Sequence, residues 1–249
     1  MSVHLPGVPD HLVRCCFESG SGEGVGSSYG KRLWVYLVGS TRTRSISVTT
    51  SMYSESMSTP DRLIESTREL LWERGYVGTS PKAILERAGA GQGSMYHHFK
   101  GKPDLALAAI RRTAEELLAA AEGVLAGPGT PYERIEAYLR RERDVLRGCP
   151  IGRLTMDPDV IASDDLRAPV DETLDRIRER IAAIVEEGKE QGQFAASLDG
   201  EEIAATVLAT VQGGYVLARA SGSPAVFDTG VRGLLSLLAP PSGVAPQAS

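Results

Sequence analysis

Residues 86–105 read ERAGAGQGSMYHHFKGKPDL. Two short helical patterns meet in this stretch at a glycine-containing turn, AGAG at Ala88–Gly91, and the second pattern carries two adjacent histidines. Two short helices joined by such a turn are typical of a helix-turn-helix unit. The two other interpretations of this histidine pair are a metal site and a catalytic site.

The histidine pair fits neither alternative well. Neighbouring residues on a helix project about 100° apart, so His97 and His98 cannot hold one ion together, and no Cys, Asp or Glu follows at helical spacing to complete a ligand set. Ser94 precedes His97 by three residues, but no Gly-x-Ser-x-Gly turn surrounds it. We therefore expect no catalytic residue and no metal site, and a helical enzyme using His97 or His98 is the competing class.

The second helical pattern, QGSMYHHF, instead carries groups that suit a DNA groove. Its Gln, Ser, Tyr and His side chains are short or rigid hydrogen-bonding groups, and Gly93 would permit close backbone approach. Residues 75–102 carry four basic side chains against Glu86 alone, whereas residues 105–249 carry 15 basic and 22 acidic ones. A basic face on an acidic body indicates a polyanionic partner. The plain alternative is a polar surface on an ordinary helical hairpin.

The composition is that of a globular protein with a sizeable core, since 42% of the 249 residues are apolar. Cys15, Cys16 and Cys149 fit no zinc-site spacing and favour a reducing, cytoplasmic compartment. No apolar run reaches the roughly 18–20 residues of a membrane span, and the N-terminus lacks the order of a signal peptide. We predict a cytoplasmic protein with no membrane partner and no cofactor.

Residues 1–58 differ from the rest of the chain. They are rich in Gly and Ser and have no helical period, so we predict a disordered extension or one that results from a start codon assigned too early. The run LWVYLV at Leu33–Val38 could form a strand, but no partner run is evident nearby.

After Thr59 the pattern is helical throughout, and the predicted class is all-α. The first helix ends at Gly75, the second begins at Ser80-Pro81, and Gly89 stands where a left-handed turn would stop it. The loop TMDPDVIASDD is interpreted as a solvated cap region. The remaining helices are predicted near residues 92–98, 103–125, 131–147, 166–190, 199–220 and 224–238.

The stretch Thr79–Leu105 resembles the DNA-binding signature of the TetR family of bacterial transcriptional regulators. Leu85, Ala90 and Gly91 depart from its usual residues, and a glycine in place of a capping serine costs only a few tenths of a kcal/mol. GCPIGRL, EEGKEQGQF and TVQGGYVLARASGSP resemble the ligand-binding half of the LmrA/YxaF-like branch of that family, so the resemblance covers about Thr59–Ala239. The residues that match the DNA-binding signature are Ile84, Ala88, Gly89, Gly93, Tyr96, His98, Phe99, Lys100 and Lys102.

This resemblance implies a domain organisation and a function. A three-helix DNA-binding domain at residues 59–105 would be joined by a long helix to a ligand-binding and dimerisation domain at 106–239, followed by a disordered tail at 240–249. The chain would be a homodimeric repressor, released from a double-stranded DNA operator by a small-molecule effector that is drug-like or aromatic. An activator or dual regulator on the same scaffold is the alternative.

The resemblance also assigns roles in DNA binding. Tyr96, Lys102 and Thr79 would contact phosphates, whereas Gln92, Ser94 and His97 would contact bases. His98 would support the helix or contact one phosphate, and Phe99 would pack in the small core. The complete predicted DNA-binding set is Thr79, Ser80, Lys82, Gln92, Gly93, Ser94, Tyr96, His97, His98, Lys100 and Lys102.

The body of the protein would hold the effector and the dimer contacts. Met156, Phe194 and Tyr215, with the helix at 131–147, are candidate linings of an effector pocket, although each could be plain core, and Asp157 or Asp159 could make that pocket acidic. Cys149 could be a thiol sensor, but no resolving cysteine or basic partner is evident nearby. The candidate dimer residues, which could alternatively fill the monomer core, are Ala205, Ala209, Gly213, Leu234, Leu235 and Leu238.

Overall fold

The computed structural model of the chain describes residues 57–239 continuously, together with three short strands nearer the N-terminus. Residues 1–12, 17–32, 38–44, 49–56 and 240–249 lie outside the described residues. The chain divides into two units, Met1–Ser58 and Thr59–Ser249.

The N-terminal unit contains an antiparallel sheet of strands β1 (Val13–Cys16), β2 (Leu33–Leu37) and β3 (Ser45–Val48), with β2 in the centre. The expectation that the LWVYLV strand has no partner is therefore wrong. Its partners, VRCC and SISV, are only four residues long, which is too short for an alternating pattern to be detected. The prediction of a disordered or mis-assigned extension falls mostly outside the described residues and stays a prediction.

The second unit is built from helices, and the predicted all-α class is confirmed there. A short 3₁₀ helix, Gly152–Met156, lies between the fifth and sixth α-helices. The helices are α1 (Thr59–Arg74), α2 (Pro81–Ala88), α3 (Gln92–His98), α4 (Lys102–Leu125), α5 (Pro131–Arg140), α6 (Pro158–Ala162), α7 (Asp164–Glu190), α8 (Gly200–Ser221) and α9 (Ala225–Leu238).

Local capping explains why most predicted helix ends agree with the structure. Gly75 and Gly89 adopt φ angles of 74° and 59°, the left-handed region that favours glycine at a helix end. The Ser80 hydroxyl accepts a hydrogen bond from the Ala83 backbone N–H and caps α2. The Asp199 carboxylate likewise accepts from two backbone N–H groups in the first turn of α8.

The segment between α5 and α7 differs from the prediction in two respects. Helix α5 ends at Arg140 rather than near residue 147, and the Arg143 guanidinium donates to the backbone carbonyls of Tyr138, Leu139 and Arg141, so a side chain replaces the next helical turn. The predicted cap region, residues 155–165, is mostly exposed, and its Asp157 caps α6, but it also holds the end of the 3₁₀ helix and the whole of α6, whose Val160 is fully buried. Its apolar residues are too few for a helical period to be read from the sequence.

The helices enclose two cores that α4 connects. The smaller core, formed by α1 to α3 and the start of α4, contains Leu63, Leu70, Ile84, Ala88, Met95 and Leu105, with Phe99 packed against it as predicted. The larger core fills the body from α4 to α9. Leu105 belongs to the first core and the adjacent Ala106 to the second, so a displacement of α4 affects both.

Among the described helices, α8 alone is long and apolar enough to cross a membrane by composition. It packs between α7 and α9 and buries Ala204, Val207, Val211 and Ala218 in the larger core. A core helix of a globular body has the same composition, so this feature is weak support for a membrane span.

Candidate nucleic-acid interface

Helix α3 presents nearly all of its side chains to solvent. Met95 alone is fully buried, and it anchors the helix in the smaller core. Gln92, His97 and His98 are exposed, and Tyr96 is 54% exposed. A helix of seven residues with one anchoring side chain and polar groups around it can enter a DNA major groove without losing its packing.

The turn between α2 and α3 fixes how α3 projects from the small domain. The backbone N–H of Ala90 donates to the Leu85 carbonyl, and Gly89 supplies the left-handed residue. A Cβ atom built on Gly93 would meet no described atom within 4 Å, so packing against residues 57–239 does not require this glycine. It leaves the exposed face of α3 free of a side chain at that position.

Two of the predicted cations point to solvent beside α3. Lys82 is exposed, and its ammonium lies 3.8 Å from Glu86 in a weak surface pair. Lys100 is exposed, and its side chain has no ion pair within the described part of the chain. Arg87, in contrast, is engaged in a two-bond pair with Glu73 at 2.9 Å. Lys82 and Lys100 are thus the cations most accessible to a phosphate.

Lys102 lies differently from what the sequence suggests. Its ammonium donates to the Tyr76 carbonyl at 2.7 Å and lies 3.8 Å from the centre of the Tyr76 ring. Burial lowers the pKa of this amine, although Asp157 and Asp159 oppose the effect. In this conformation Lys102 closes the turn after α1 rather than projecting to solvent.

Thr79, another predicted phosphate contact, is also engaged inside the protein rather than exposed to solvent. Its side chain is 1% exposed, and its hydroxyl donates to the Gly75 carbonyl at 2.6 Å. A phosphate contact, the role predicted for Thr79, does not fit this geometry, because the hydroxyl is buried and already bonded to a carbonyl. The sequence alone does not distinguish a buried threonine that closes a turn from an exposed capping residue. The neighbouring Ser80 remains exposed and caps α2.

The two histidines pack against each other rather than around a common point. The rings of His97 and His98 meet edge to face with centres 4.8 Å apart, and the His98 ring lies 6.4 Å from that of Phe99. Within residues 57–239 and the three strands, no group of three or more His, Cys, Asp or Glu side chains is arranged to hold a metal ion.

A cleft of about 360 Å³ opens between the end of α1, the 3₁₀ helix and α8. Two of the predicted effector residues, Met156 and Tyr215, line it. Burial raises the pKa of the Tyr215 phenol to about 12, so it is a neutral hydroxyl near pH 7. The third predicted residue, Phe194, packs in the core against Tyr132 and Gly188, and no part of α5 reaches the cleft.

The cleft was predicted to be acidic, but its lining carries more basic than acidic side chains. Arg74, Arg153 and Arg219 line it, and sequence reasoning missed them because they come from three distant segments. Asp157 also lines it, but one carboxylate oxygen accepts from Val77 N at 2.9 Å and the other from Asp159 N at 3.2 Å.

Cys149 is a buried residue at the same cleft. Its Sγ accepts a hydrogen bond from Gly152 N at 3.2 Å, and its side chain packs in the larger core. Cys149 is a free cysteine, and the thiol-sensor hypothesis stays a prediction.

The predicted dimer residues divide into two groups. Leu234, Leu235 and Leu238 are buried in the larger core, which agrees with the alternative that they fill the monomer. Ala205 and Ala209 are exposed on α8, and a Cβ atom on Gly213 would meet nothing within 4 Å. The large apolar residues exposed on α8 and α9 are Val216, which also lines the cleft, Leu217 and Leu237.

Comparisons with known proteins identify the architecture. Residues 63–109 match the family described as bacterial regulatory proteins, tetR family, and residues 131–234 match the tetracyclin repressor-like C-terminal domain. The chain therefore belongs to the TetR family of transcriptional regulators, which is not an enzyme family. Members bind DNA operators through the helix-turn-helix, form dimers and bind small-molecule effectors.

Individual relatives support this identification. The HTH-type transcriptional regulator LmrA of Bacillus subtilis (strain 168) is 26% identical over 164 residues, 63% of this chain and 84% of LmrA, which confirms the predicted branch. An uncharacterized HTH-type regulator in the lacX 3' region of Lactococcus lactis subsp. lactis is 25% identical over 134 residues, 50% of this chain and 66% of its own length. The crystal structure of a TetR regulator from Chloroflexus aurantiacus J-10-FL is 28% identical, with a TM-score of 0.63 over 72% of this chain and 93% of that one.

Proposed function

We propose that this chain is a cytoplasmic, homodimeric repressor that binds a double-stranded DNA operator and releases it when a small-molecule effector binds. The observation that carries this proposal is the exposed polar face of α3, anchored by one buried methionine and flanked by accessible lysines. An activator on the same scaffold would use the same surface. An enzyme using His97 or His98 would need a cleft at these side chains, whereas the cleft beside α1 and α8 is lined by other residues.

The exposed side chains fall into two groups, those that can contact base edges and those that can contact phosphates. Gln92 stands at the start of α3, where side chains reach base edges most easily, and its amide can both donate to and accept from an adenine edge. Ser94 and His97 are further candidates for base contacts. Tyr96, Lys100 and Lys82 are assigned to phosphates, which fix the position of the protein without carrying sequence information.

Dimerisation is assigned to the outer faces of α8 and α9. Leu217 and Leu237 are large apolar side chains at least 58% exposed, and Gly213 allows a close helix approach. Pairing across a two-fold axis would bury this apolar surface and place two α3 helices for the two half-sites of one operator.

Gln92→Ala is expected to weaken operator binding by about 1–3 kcal/mol and to weaken binding to random DNA much less. The slope of log affinity against log salt concentration should hardly change, because an amide neutralises no phosphate charge. Fluorescence anisotropy at several salt concentrations measures both quantities. Unchanged discrimination between operator and random DNA would refute base recognition by Gln92.

Lys100→Ala and Lys102→Ala form a matched pair that separates a phosphate contact from an internal role. Lys100→Ala is expected to weaken binding to all DNA about equally, lower the salt slope by roughly one unit and leave stability unchanged. Lys102→Ala is expected to lower the free energy of unfolding by about 1–2 kcal/mol, since it removes the charged donor to the Tyr76 carbonyl. An unchanged salt slope in Lys100→Ala, or unchanged stability in Lys102→Ala, would contradict these assignments.

A further inference from the structure

The arginines of the cleft differ from many other arginines of the body in lacking carboxylate partners. Arg68, Arg112, Arg134 and Arg178 each pair with an acidic side chain. Within the described part of the chain, the side chains of Arg74 and Arg153 form no ion pair or hydrogen bond, and Arg219 has only a 3.5 Å contact with the Arg147 carbonyl. The guanidinium groups in the cleft therefore have N–H donors available for a ligand.

Arg153 carries the most costly of these unsatisfied donors. Its Nε atom is buried and, like those of Arg141 and Arg143, has no hydrogen-bond partner among the described residues. Leaving a charged donor desolvated and unpaired is unfavourable unless another group satisfies it. Asp157 lines the same cleft, but its two oxygens already accept backbone N–H groups. An acceptor supplied from outside the chain would relieve this cost.

The other residues that line the cleft indicate which chemical groups a bound ligand would have. The cleft has an apolar lining beside its arginines. This lining consists of Leu174, Pro158, Val216, the ring of Tyr215 and the thioether of Met156. The cleft volume of about 360 Å³ lies near the small end of ligand pockets. A planar guanidinium matches the two oxygens of a carboxylate, so a compact apolar body bearing one carboxylate fits both features.

We propose that this cleft binds a small organic carboxylate, and that this binding is the event that lowers DNA affinity. The second half of the proposal rests on the proposed DNA-binding function. Arg153, with Arg74 and Arg219 around the cleft, provides the donors for the carboxylate, and the apolar lining receives its body.

The cleft is positioned to act on the DNA-binding domain because its walls hold the end of α1. The Asp157 carboxylate accepts from Val77 N in the turn before α2, and the Trp72 indole N–H donates to the Gly148 carbonyl at 3.0 Å. Arg147 lies 3.6 Å from the centre of the Trp72 ring and pairs with Glu69. A ligand that moves the segment 148–158 displaces α1 and, through it, α2 and α3, provided that it binds the displaced arrangement more tightly.

Calorimetry on the full chain without DNA tests the site. Hexanoate, benzoate, salicylate and naphthoate are titrated, each beside its uncharged carboxamide of nearly the same shape. We expect at least one carboxylate to bind about tenfold or more tightly than its amide, and Arg153→Gln to remove about tenfold or more of that affinity. Arg167→Gln, which alters an exposed arginine of α7 outside the cleft, should leave it unchanged.

The outcomes separate this proposal from the function on which it rests. No binding by any of the four carboxylates, equal binding of the amides, or full affinity in Arg153→Gln would overturn the site. Carboxylate binding at the cleft with no change in DNA affinity, measured by anisotropy, would overturn its regulatory role. A chain that fails to bind DNA would contradict the proposed function, while calorimetry would still decide whether the cleft binds carboxylates.

Discussion

Met95→Ala is expected to lower the free energy of unfolding by about 2–5 kcal/mol and to abolish binding to every DNA sequence. Met95 is wholly buried, and it is the side chain through which α3 is anchored in the smaller core. Its truncation leaves a cavity in a core built from only six buried residues. Urea unfolding followed by circular dichroism gives the change in stability, and anisotropy gives the loss of binding.

Met156→Ala is the matched control for this prediction. Met156 is 81% exposed, so its truncation should change the free energy of unfolding by less than about 0.5 kcal/mol. Wild-type stability together with wild-type operator binding in Met95→Ala would show that α3 is not held by this anchor.

Arg143→Met is expected to destabilise the body by about 3 kcal/mol, because its three backbone acceptors lose a charged donor in a largely buried place. The Arg143 guanidinium donates to three carbonyls at the end of α5, and it lies 5.2 Å and 5.7 Å from the ring centres of Tyr138 and Phe227. Methionine retains much of the apolar stem but none of the donors. Urea unfolding of the purified variant measures the loss.

Arg140→Met provides the comparison three residues earlier in the chain. Arg140 is exposed and pairs with Glu136 one turn away on α5, an interaction worth about 0.3–0.5 kcal/mol. Equal destabilisation by the two substitutions would mean that the carbonyl contacts of Arg143 contribute nothing specific to the fold.

The small domain could be predicted closely because its signals are local. Ser80, Gly89 and Gly75 act through their own backbone and the next turn, so their positions in the sequence define the ends of α1 and α2. Phe99 packs against the smaller core, as the resemblance implied, whereas the anchoring role of Met95 was not predicted.

The internal roles of Lys102 and Thr79 could not be predicted in this way. Each side chain binds a carbonyl in the turn that follows α1, and the resemblance to a signature describes residue types rather than the direction in which a side chain points. The cleft was missed for a related reason. Arg74, Arg153 and Arg219 come together only through tertiary packing, so no spacing along the chain indicates a basic site.

Selection of binding sites from a random duplex library tests whether α3 recognises a specific DNA sequence, because the protein itself then selects its operator. The purified full chain is taken through repeated rounds of binding and amplification, with Gln92→Ala in parallel. A dimer that presents two α3 helices predicts enrichment of an inverted repeat, with half-sites separated by one helical turn or a multiple of it, and relaxed preference at one or two positions per half-site in Gln92→Ala. A library that remains without an enriched sequence after selection by the wild-type chain would contradict the account.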